Sequence, residues 1–155
     1  MDQEYKMIGA EIRMVNHLLT KRLEKNVRAA GIDEVTLMHG WIMRYLYENR
    51  EEAIYQKDIE KHFSIGRSTV TSIIQIMEKK GYITRQAVVG DARLKRVLLT
   101  QKGIVTHETI EGLIVQMNRE MLKGIEEEKL QNFMEVLLKI KENVVVQDLS
   151  CEKGV

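Results

Sequence analysis

Apolar residues recur at three- and four-residue intervals over most of the chain, the spacing that places them on one face of a helix. In the first such stretch Ile8, Ile12 and Val15 are in register, and Gly31 marks the expected end because glycine readily adopts the left-handed conformation that terminates helices. No proline interrupts the chain. The pattern predicts four helices in the first half of the chain, at about 8–31, 36–49, 56–62 and 67–80.

The helical spacing is lost after the fourth helix. Two β-prone runs, residues 82–88 and 95–99, flank a Gly90-Asp91 turn and predict a β-hairpin. Thr100 is then a suitable N-cap for the first of two further helices. The predicted fold class is therefore mainly α with a small β-hairpin, in which the third and fourth helices form a helix-turn-helix and the hairpin forms a wing.

The fourth helix has two contrasting faces. Val70, Ile74 and Met77 lie on one face at 100° per residue and are expected to enter the core. The opposite face is rich in hydroxyls, an amide and cations rather than the Glu/Lys pairs of a solvated helix, and short polar groups allow close approach to a major groove. A solvated polar face is the alternative explanation. The candidate DNA-binding residues of this helix are Arg67, Ser68, Thr69, Thr71, Ser72, Gln75 and Lys79.

The hairpin tip provides a second set of candidates. Arg93 on a narrow projection suits the minor groove, where negative potential is concentrated, and Asp91 could orient its guanidinium by charge-assisted hydrogen bonds. Lys95 follows as a further cation. An ordinary solvated turn is the alternative.

Charge is distributed unevenly although the net charge is only +1. Residues 56–102 carry ten Lys and Arg against four Asp and Glu, whereas residues 103–155 carry six against ten. A basic middle segment is what a localised phosphate-binding surface requires.

Composition places the chain among folded proteins of the cytosol. Hydrophobic residues make up 44% and charged residues 30%, and no apolar run approaches the roughly 20 residues needed to span a bilayer. The N-terminus does not resemble a signal peptide, and the single cysteine, Cys151, predicts no intrachain disulfide. We therefore expect a cytoplasmic location and no membrane partner.

Several motifs together resemble the MarR family of transcriptional regulators. They are Arg67-Ser-Thr-Val, Glu78-Lys-Lys-Gly, Asp91-x-Arg93 and Leu99-Thr-x-Lys-Gly103, in the order and spacing of that family's recognition helix, wing and following helix. The resemblance is specific over residues 36–103, and the chain also matches the family in length and element order.

The resemblance implies a homodimer that binds a palindromic DNA operator, with recognition helices in successive major grooves and wings in the flanking minor grooves. It implies that Arg93 reads the minor groove with Asp91 as its orienting partner, that the protein is a repressor, and that a small ligand could release it. Three positions depart from the family pattern: Ser72 and Ile76 stand where many relatives carry arginine, and Gly66 stands where relatives often have a capping serine.

The dimer also has support in the pattern itself, because the outer helices carry wide apolar stripes that a small lobe can cover only in part. The expected divisions are an N-terminal dimerisation helix at 1–35, a winged helix-turn-helix DNA-binding lobe at 36–102, C-terminal dimerisation helices at 103–147 and a frayed tail at 148–155.

An effector pocket between the dimerisation helices and the DNA-binding lobe is a further hypothesis. Methionine and aromatic side chains suit adaptable pockets, and they suit ordinary core packing equally well. The candidate pocket residues are Met14, His17, Met38, Trp41 and Tyr45.

Other classes of function find less support. His39 and His107 invite the hypothesis of a metal-responsive regulator, but no His/Cys cluster at ligand spacing is present, so neither a metal nor another cofactor is predicted. The sequence also lacks a nucleophile with its base, paired carboxylates and a phosphate loop, so it is not predicted to be an enzyme. A winged-helix protein-interaction module without DNA readout is the remaining alternative.

Overall fold

The structure is a computed structural model that describes residues 7–32, 35–88 and 91–151, with the side chains of 91–93 and 146–151 outside the description. The predicted fold class is confirmed: within these residues, helices surround one two-stranded antiparallel hairpin. In chain order the elements are α1 (Ile8–Ala29), α2 (Leu37–Glu48), α3 (Gln56–Phe63), α4 (Arg67–Lys79), β1 (Ile83–Val88), β2 (Asp91–Leu99), α5 (Gln101–Met121) and α6 (Glu127–Cys151).

The helix ends follow the signals in the sequence. Gly31 adopts a φ of 76° just after α1, and Gly81 adopts a φ of 75° just after α4. At the start of α2, Thr36 Oγ1 accepts a hydrogen bond from His39 N at 3.3 Å, while His39 Nδ1 accepts one from Thr36 N at 3.1 Å. Such reciprocal bonds satisfy two backbone donors that a helix start otherwise leaves unpaired.

The helix-turn-helix is held together by a small apolar core. Ser64 follows the last residue of α3 and has a left-handed φ of 52°, and Gly66 is the extended residue that precedes α4. Ile59 of α3 is fully buried, as are Val70 and Ile74 of α4, so the two helices pack through their apolar faces. The wider core to which they belong comprises Val27, Ile42, Met43, Leu46, Ile54, Ile59, Val70, Ile74, Met77, Tyr82, Ile83, Val97 and Ile110.

The hairpin pairs regularly at its base and irregularly near its tip. The antiparallel register is continuous as far as Ala87↔Lys95, then shifts so that Val88 pairs with Asp91. β2 therefore begins at Asp91 rather than at residue 95 as the sequence pattern predicted. The predicted turn residue Gly90 lies outside the described residues.

The free edge of β2 is covered by the segment that leads into α3. Val97 N donates to Ile54 O at 2.8 Å, and Tyr55 forms an isolated antiparallel bridge with Arg96. The wing base is thus fixed on the side facing α3 as well as by its own pairing, which limits how the hairpin can tilt.

The junction between the hairpin and α5 explains the Leu-Thr-x-Lys-Gly motif. The predicted N-cap is confirmed, because Thr100 Oγ1 accepts from Gly103 N at 3.1 Å and donates to Gly81 O at 2.6 Å. The Lys102 ammonium lies 4.7 Å from the centre of the Tyr82 ring. A Cβ on Gly103 would lie 2.1 Å from Tyr82 O, so the close approach of α5 to β1 requires glycine.

The chain divides into two compact units, Met1–Met117 and Asn118–Val155. In the second unit α6 continues to Cys151, beyond the predicted end near Gln147. Among the described residues, no helix has both the length and the hydrophobicity needed to cross a bilayer. α6 exposes a series of large apolar side chains, namely Phe133, Met134, Val136, Leu138, Val144 and Val145.

Candidate nucleic-acid interface

The outer face of α4 is largely open to solvent. Its apolar residues Val70, Ile74 and Met77 are buried, which turns the opposite face away from the core. Thr71 alone among the seven candidates of this helix is half-buried. The exposed candidates are Arg67, Ser68, Thr69, Ser72, Gln75 and Lys79.

Thr71 has a structural contact that sequence reasoning did not foresee. Its hydroxyl donates to Arg67 O at 2.8 Å and accepts from Gln56 Nε2 at 2.7 Å. Gln56 Nε2 also donates to Glu60 Oε1 at 2.9 Å, so Thr71 links α4 to the first turn of α3. Thr71 therefore joins the two helices by a hydrogen bond in the structure, and its role in binding DNA stays a prediction.

Ser72 keeps hydrogen-bonding capacity toward the outside. Its hydroxyl donates to Ser68 O at 3.1 Å within the helix, which leaves the lone pairs of the oxygen available as acceptors. Gln75 is exposed, and its amide offers the donor and acceptor that match the major-groove edge of adenine.

Ile76 is a residue of this face that sequence reasoning did not include among the candidates. It is 44% exposed, and helical spacing places it beside Ser72 and Thr69 in the middle of the outer face. The signal was present in the sequence, because a helical wheel separates Ile76 from the buried Ile74 and Met77. An aliphatic group at this place suits contact with a thymine methyl.

The candidates at the wing tip are placed by their backbone only. Asp91 and Arg93 belong to β2, but their side chains lie outside the described residues, so the predicted contact between them stays a prediction. Lys95 is exposed and pairs with Ala87 across the hairpin.

Arg85 joins the wing to the recognition helix. Its Nε donates to Glu78 Oε2 at 2.9 Å, and its Nη2 contacts the same oxygen. The hydrogen bonds from Arg85 hold the pKa of Glu78 below its ordinary value, although partial burial acts in the opposite direction. The carboxylate is therefore ionised well below neutral pH, and the ion pair persists over the physiological range.

Arg96 is held by the backbone of the loop before α3. Its Nη2 donates to Glu52 O at 2.7 Å and lies 3.5 Å from Arg50 O, while its Nε is buried and has no hydrogen-bond partner among the described residues. This arginine of the basic segment therefore anchors the wing base instead of facing outward.

The structure brings two of the five effector-pocket candidates to cavities, but to separate ones: Tyr45 lines an open cavity with Asp58 and His62, and Trp41 lines another. Trp41, about half-exposed, lines a cavity of about 80 Å³ between α1, α2 and α5, together with Leu23, Val27 and Ile114. Met14 and His17 are exposed on α1. Met38 is partly buried against the core, and Tyr45 stacks on His62 with ring centres 4.2 Å apart.

The histidines occupy separate places in the fold. His39 caps α2, His62 stacks on Tyr45, and the buried ring of His107 lies 4.6 Å from the Tyr47 ring. Among the described residues, no three His, Cys, Asp or Glu side chains come together as metal ligands.

His107 lies in a charged setting between α2 and α5. Burial lowers its pKa, and Arg44 acts in the same direction, whereas Glu111, Glu48 and Glu108 favour its protonated form. Nearby, Tyr47 donates to Glu108 at 3.2 Å, so the buried imidazole sits beside a polar link between the two helices.

The comparisons with known proteins agree with this geometry. The sequence model of the MarR family matches residues 34–94, the segment that contains α2, α3, α4 and the hairpin up to its tip. Three solved structures share the fold over most of the chain.

MepR from Staphylococcus aureus, solved as a DNA complex, is 22% identical, with 92% of this chain and 99% of MepR covered and a TM-score of 0.74. A Clostridium acetobutylicum protein assigned to the MarR family of transcriptional regulators is 26% identical, with 92% and 99% covered and a TM-score of 0.66. The heme sensor PefR, solved with heme and carbon monoxide, is 23% identical, with 90% and 95% covered and a TM-score of 0.70. Residues 34–94 thus match the sequence model of the MarR family, and the chain shares the winged helix-turn-helix fold of these solved structures.

Proposed function

We propose that this protein binds a pseudo-palindromic DNA operator as a homodimer and represses transcription by occupying a promoter in the cytoplasm. The observation that carries the proposal is the outer face of α4, where short polar groups and one aliphatic group are exposed beside two cations. Such a face can approach base edges closely, and the amino-terminal turn of the helix offers free N–H groups to a phosphate.

The charge pattern supports the same assignment. The basic segment 56–102 coincides with α3, α4 and the hairpin. Most of its cations lie on elements that a winged helix-turn-helix turns toward DNA, where phosphate neutralisation supplies much of the affinity.

Exposed apolar surface supports the dimer. α1 exposes Ile12, Val15 and Leu18, and the α6 series of apolar side chains is also open in the single chain. Apolar exposure on this scale is typical of an interaction surface, and a second copy is the simplest partner. A two-fold dimer would bind half-sites roughly 10 bp apart, centre to centre.

A small apolar ligand is the form of regulation that the cavity beside Trp41 supports. The cavity is lined by residues of α1, α2 and α5, so a ligand there would contact all three helices. Its volume of about 80 Å³ is small for a ligand site, and the cavity would have to widen on binding.

Selection of bound duplexes from a random library tests the proposal. We expect an enriched motif with two-fold symmetry and half-sites separated by about one helical turn. No enrichment over the input library at low salt would contradict DNA recognition, and an asymmetric motif would contradict the dimer.

A further inference from the structure

The wing and the recognition helix are joined by one ion pair whose position is unusual for a DNA-binding surface. Glu78 is an acidic residue in the last turn of α4, in a segment where cations outnumber acids by ten to four. A negative charge there opposes both phosphate binding and the partial negative charge of the helix C-terminus. We therefore expect Glu78 to make a favourable contact within the protein that offsets these two unfavourable interactions.

The favourable contact of Glu78 is its ion pair with Arg85. Arg85 lies on the same face of the hairpin as the buried Ile83 and Val97, and it reaches Glu78 through both Nε and Nη2. Its side chain is only 26% exposed, so the guanidinium is turned toward α4 and the base of the wing. Both nitrogens converge on the single oxygen Glu78 Oε2, so the guanidinium edge is directed at the carboxylate.

The Glu78–Arg85 ion pair holds one strand of the hairpin, and hydrogen bonds to a backbone segment hold the other strand. β2 is fixed to the segment before α3 by the Val97–Ile54 and Arg96–Glu52 hydrogen bonds, whereas Arg85 fixes β1 to α4. Both strands of the hairpin are therefore restrained near its base, where the hairpin extends from the core.

We propose that Glu78 and Arg85 are a positioning pair that sets the angle of the wing relative to the recognition helix, so that wing tip and helix reach neighbouring grooves of one duplex together. Neither residue contacts DNA in this proposal, which rests on the proposed DNA-binding function. Without the ion pair, the recognition helix would still bind its major groove. The wing would no longer be held at the angle that brings its tip to the neighbouring minor groove.

The alternative role of Arg85 is a direct phosphate contact, and Glu78→Gln separates the two roles. The substitution removes a negative charge and frees the Arg85 guanidinium from its ion pair. If electrostatic attraction or a direct phosphate contact of Arg85 were all that mattered, DNA binding would become tighter and its salt dependence steeper. A positioning pair predicts the opposite, a weakening of about tenfold against the direction of the charge change.

The experiment measures binding to the selected duplex by anisotropy over a range of salt. The proteins compared are wild type, Glu78→Gln, Arg85→Glu and the double charge swap Glu78→Arg/Arg85→Glu. The swap keeps the net charge of wild type and is expected to bind more tightly than Arg85→Glu alone. Glu48→Gln is the control for the charge change, because it removes the same charge from an exposed i,i+4 pair with Arg44 within α2, and it should not weaken binding.

Footprinting locates the defect. Glu78→Gln should lose hydroxyl-radical protection of the flanking minor grooves and keep protection of guanine N7 in the major grooves. A thermal melt confirms that each variant is folded. Tighter binding by Glu78→Gln, or equal loss of both footprints, would overturn the positioning role. Failure of wild type itself to bind any selected duplex would instead overturn the proposed function.

Discussion

At the scale of single residues, the structure separates side chains that face outward from those that hold the surface together. Ser72 and Gln75 were predicted from the sequence as groove-facing, and both are exposed. Thr71 and Arg96 have the same polar character in the sequence, yet they bond to Gln56 and to the backbone of Glu52. Periodicity assigns a face to each residue, but it does not identify a partner from another element.

Ile76 supplies the first test at this scale. Ile76→Ala removes aliphatic surface from the middle of the outer face, and we expect it to weaken operator binding by about 1 kcal/mol with reduced preference for thymine at one position. Duplex selection with the variant measures the preference, and Ile73→Val, a conservative change at a partly buried position of the same helix, is the control. An unaltered thymine frequency would exclude the methyl contact.

Arg93 supplies the second test at the scale of single residues. Arg93→Ala should weaken operator binding by more than about 1 kcal/mol, because an arginine in the minor groove meets concentrated negative potential, and should leave the melting temperature nearly unchanged. Arg119→Ala removes the same charge from an exposed position of α5 and serves as the control. Equal affinity of both variants in an anisotropy titration would exclude a minor-groove role for Arg93.

At the scale of elements, the sequence predicted the helices well because their ends carry strong local signals. Gly31, Gly81 and Thr100 each occupy the terminal position that their chemistry favours. The hairpin was predicted less completely. Its second strand begins earlier than expected, since the register shift near Val88 and the bridge to Tyr55 depend on contacts between segments distant in sequence.

The junction of β1 with α5 allows a sharp test of element packing. Gly103→Ala places a methyl group 2.1 Å from Tyr82 O, and we expect it to lower the free energy of unfolding by about 2 kcal/mol, since overpacking forces a backbone shift. Gly112→Ala in the same helix meets nothing within 4 Å and should be neutral or stabilising by up to about 1 kcal/mol. Equal stabilities in urea denaturation would contradict the close approach.

At the scale of the whole molecule, stability should respond to pH through His107. Burial lowers the pKa of the folded imidazole below its ordinary value of 6.5, so the unfolded chain binds the proton more readily. Stability is therefore full above about pH 6.5 and falls as the pH decreases from there toward the lower folded pKa.

The measurement for His107 is the urea midpoint between pH 7.5 and pH 5.0, a window chosen above the titration of most carboxyls. His107→Gln should flatten the decline between these values. A decline of unchanged steepness in His107→Gln would assign the pH response to other groups.

The function proposed for the surface formed by α4 and the hairpin requires duplex DNA as its partner. Affinity for the selected duplex as a function of salt concentration tests this most directly. We predict tight binding at low salt that weakens steeply, with a log–log slope of about −5 or steeper for a dimer that contacts several phosphates in each half-site. A flat salt dependence, or no binding at low salt, would contradict the central claim.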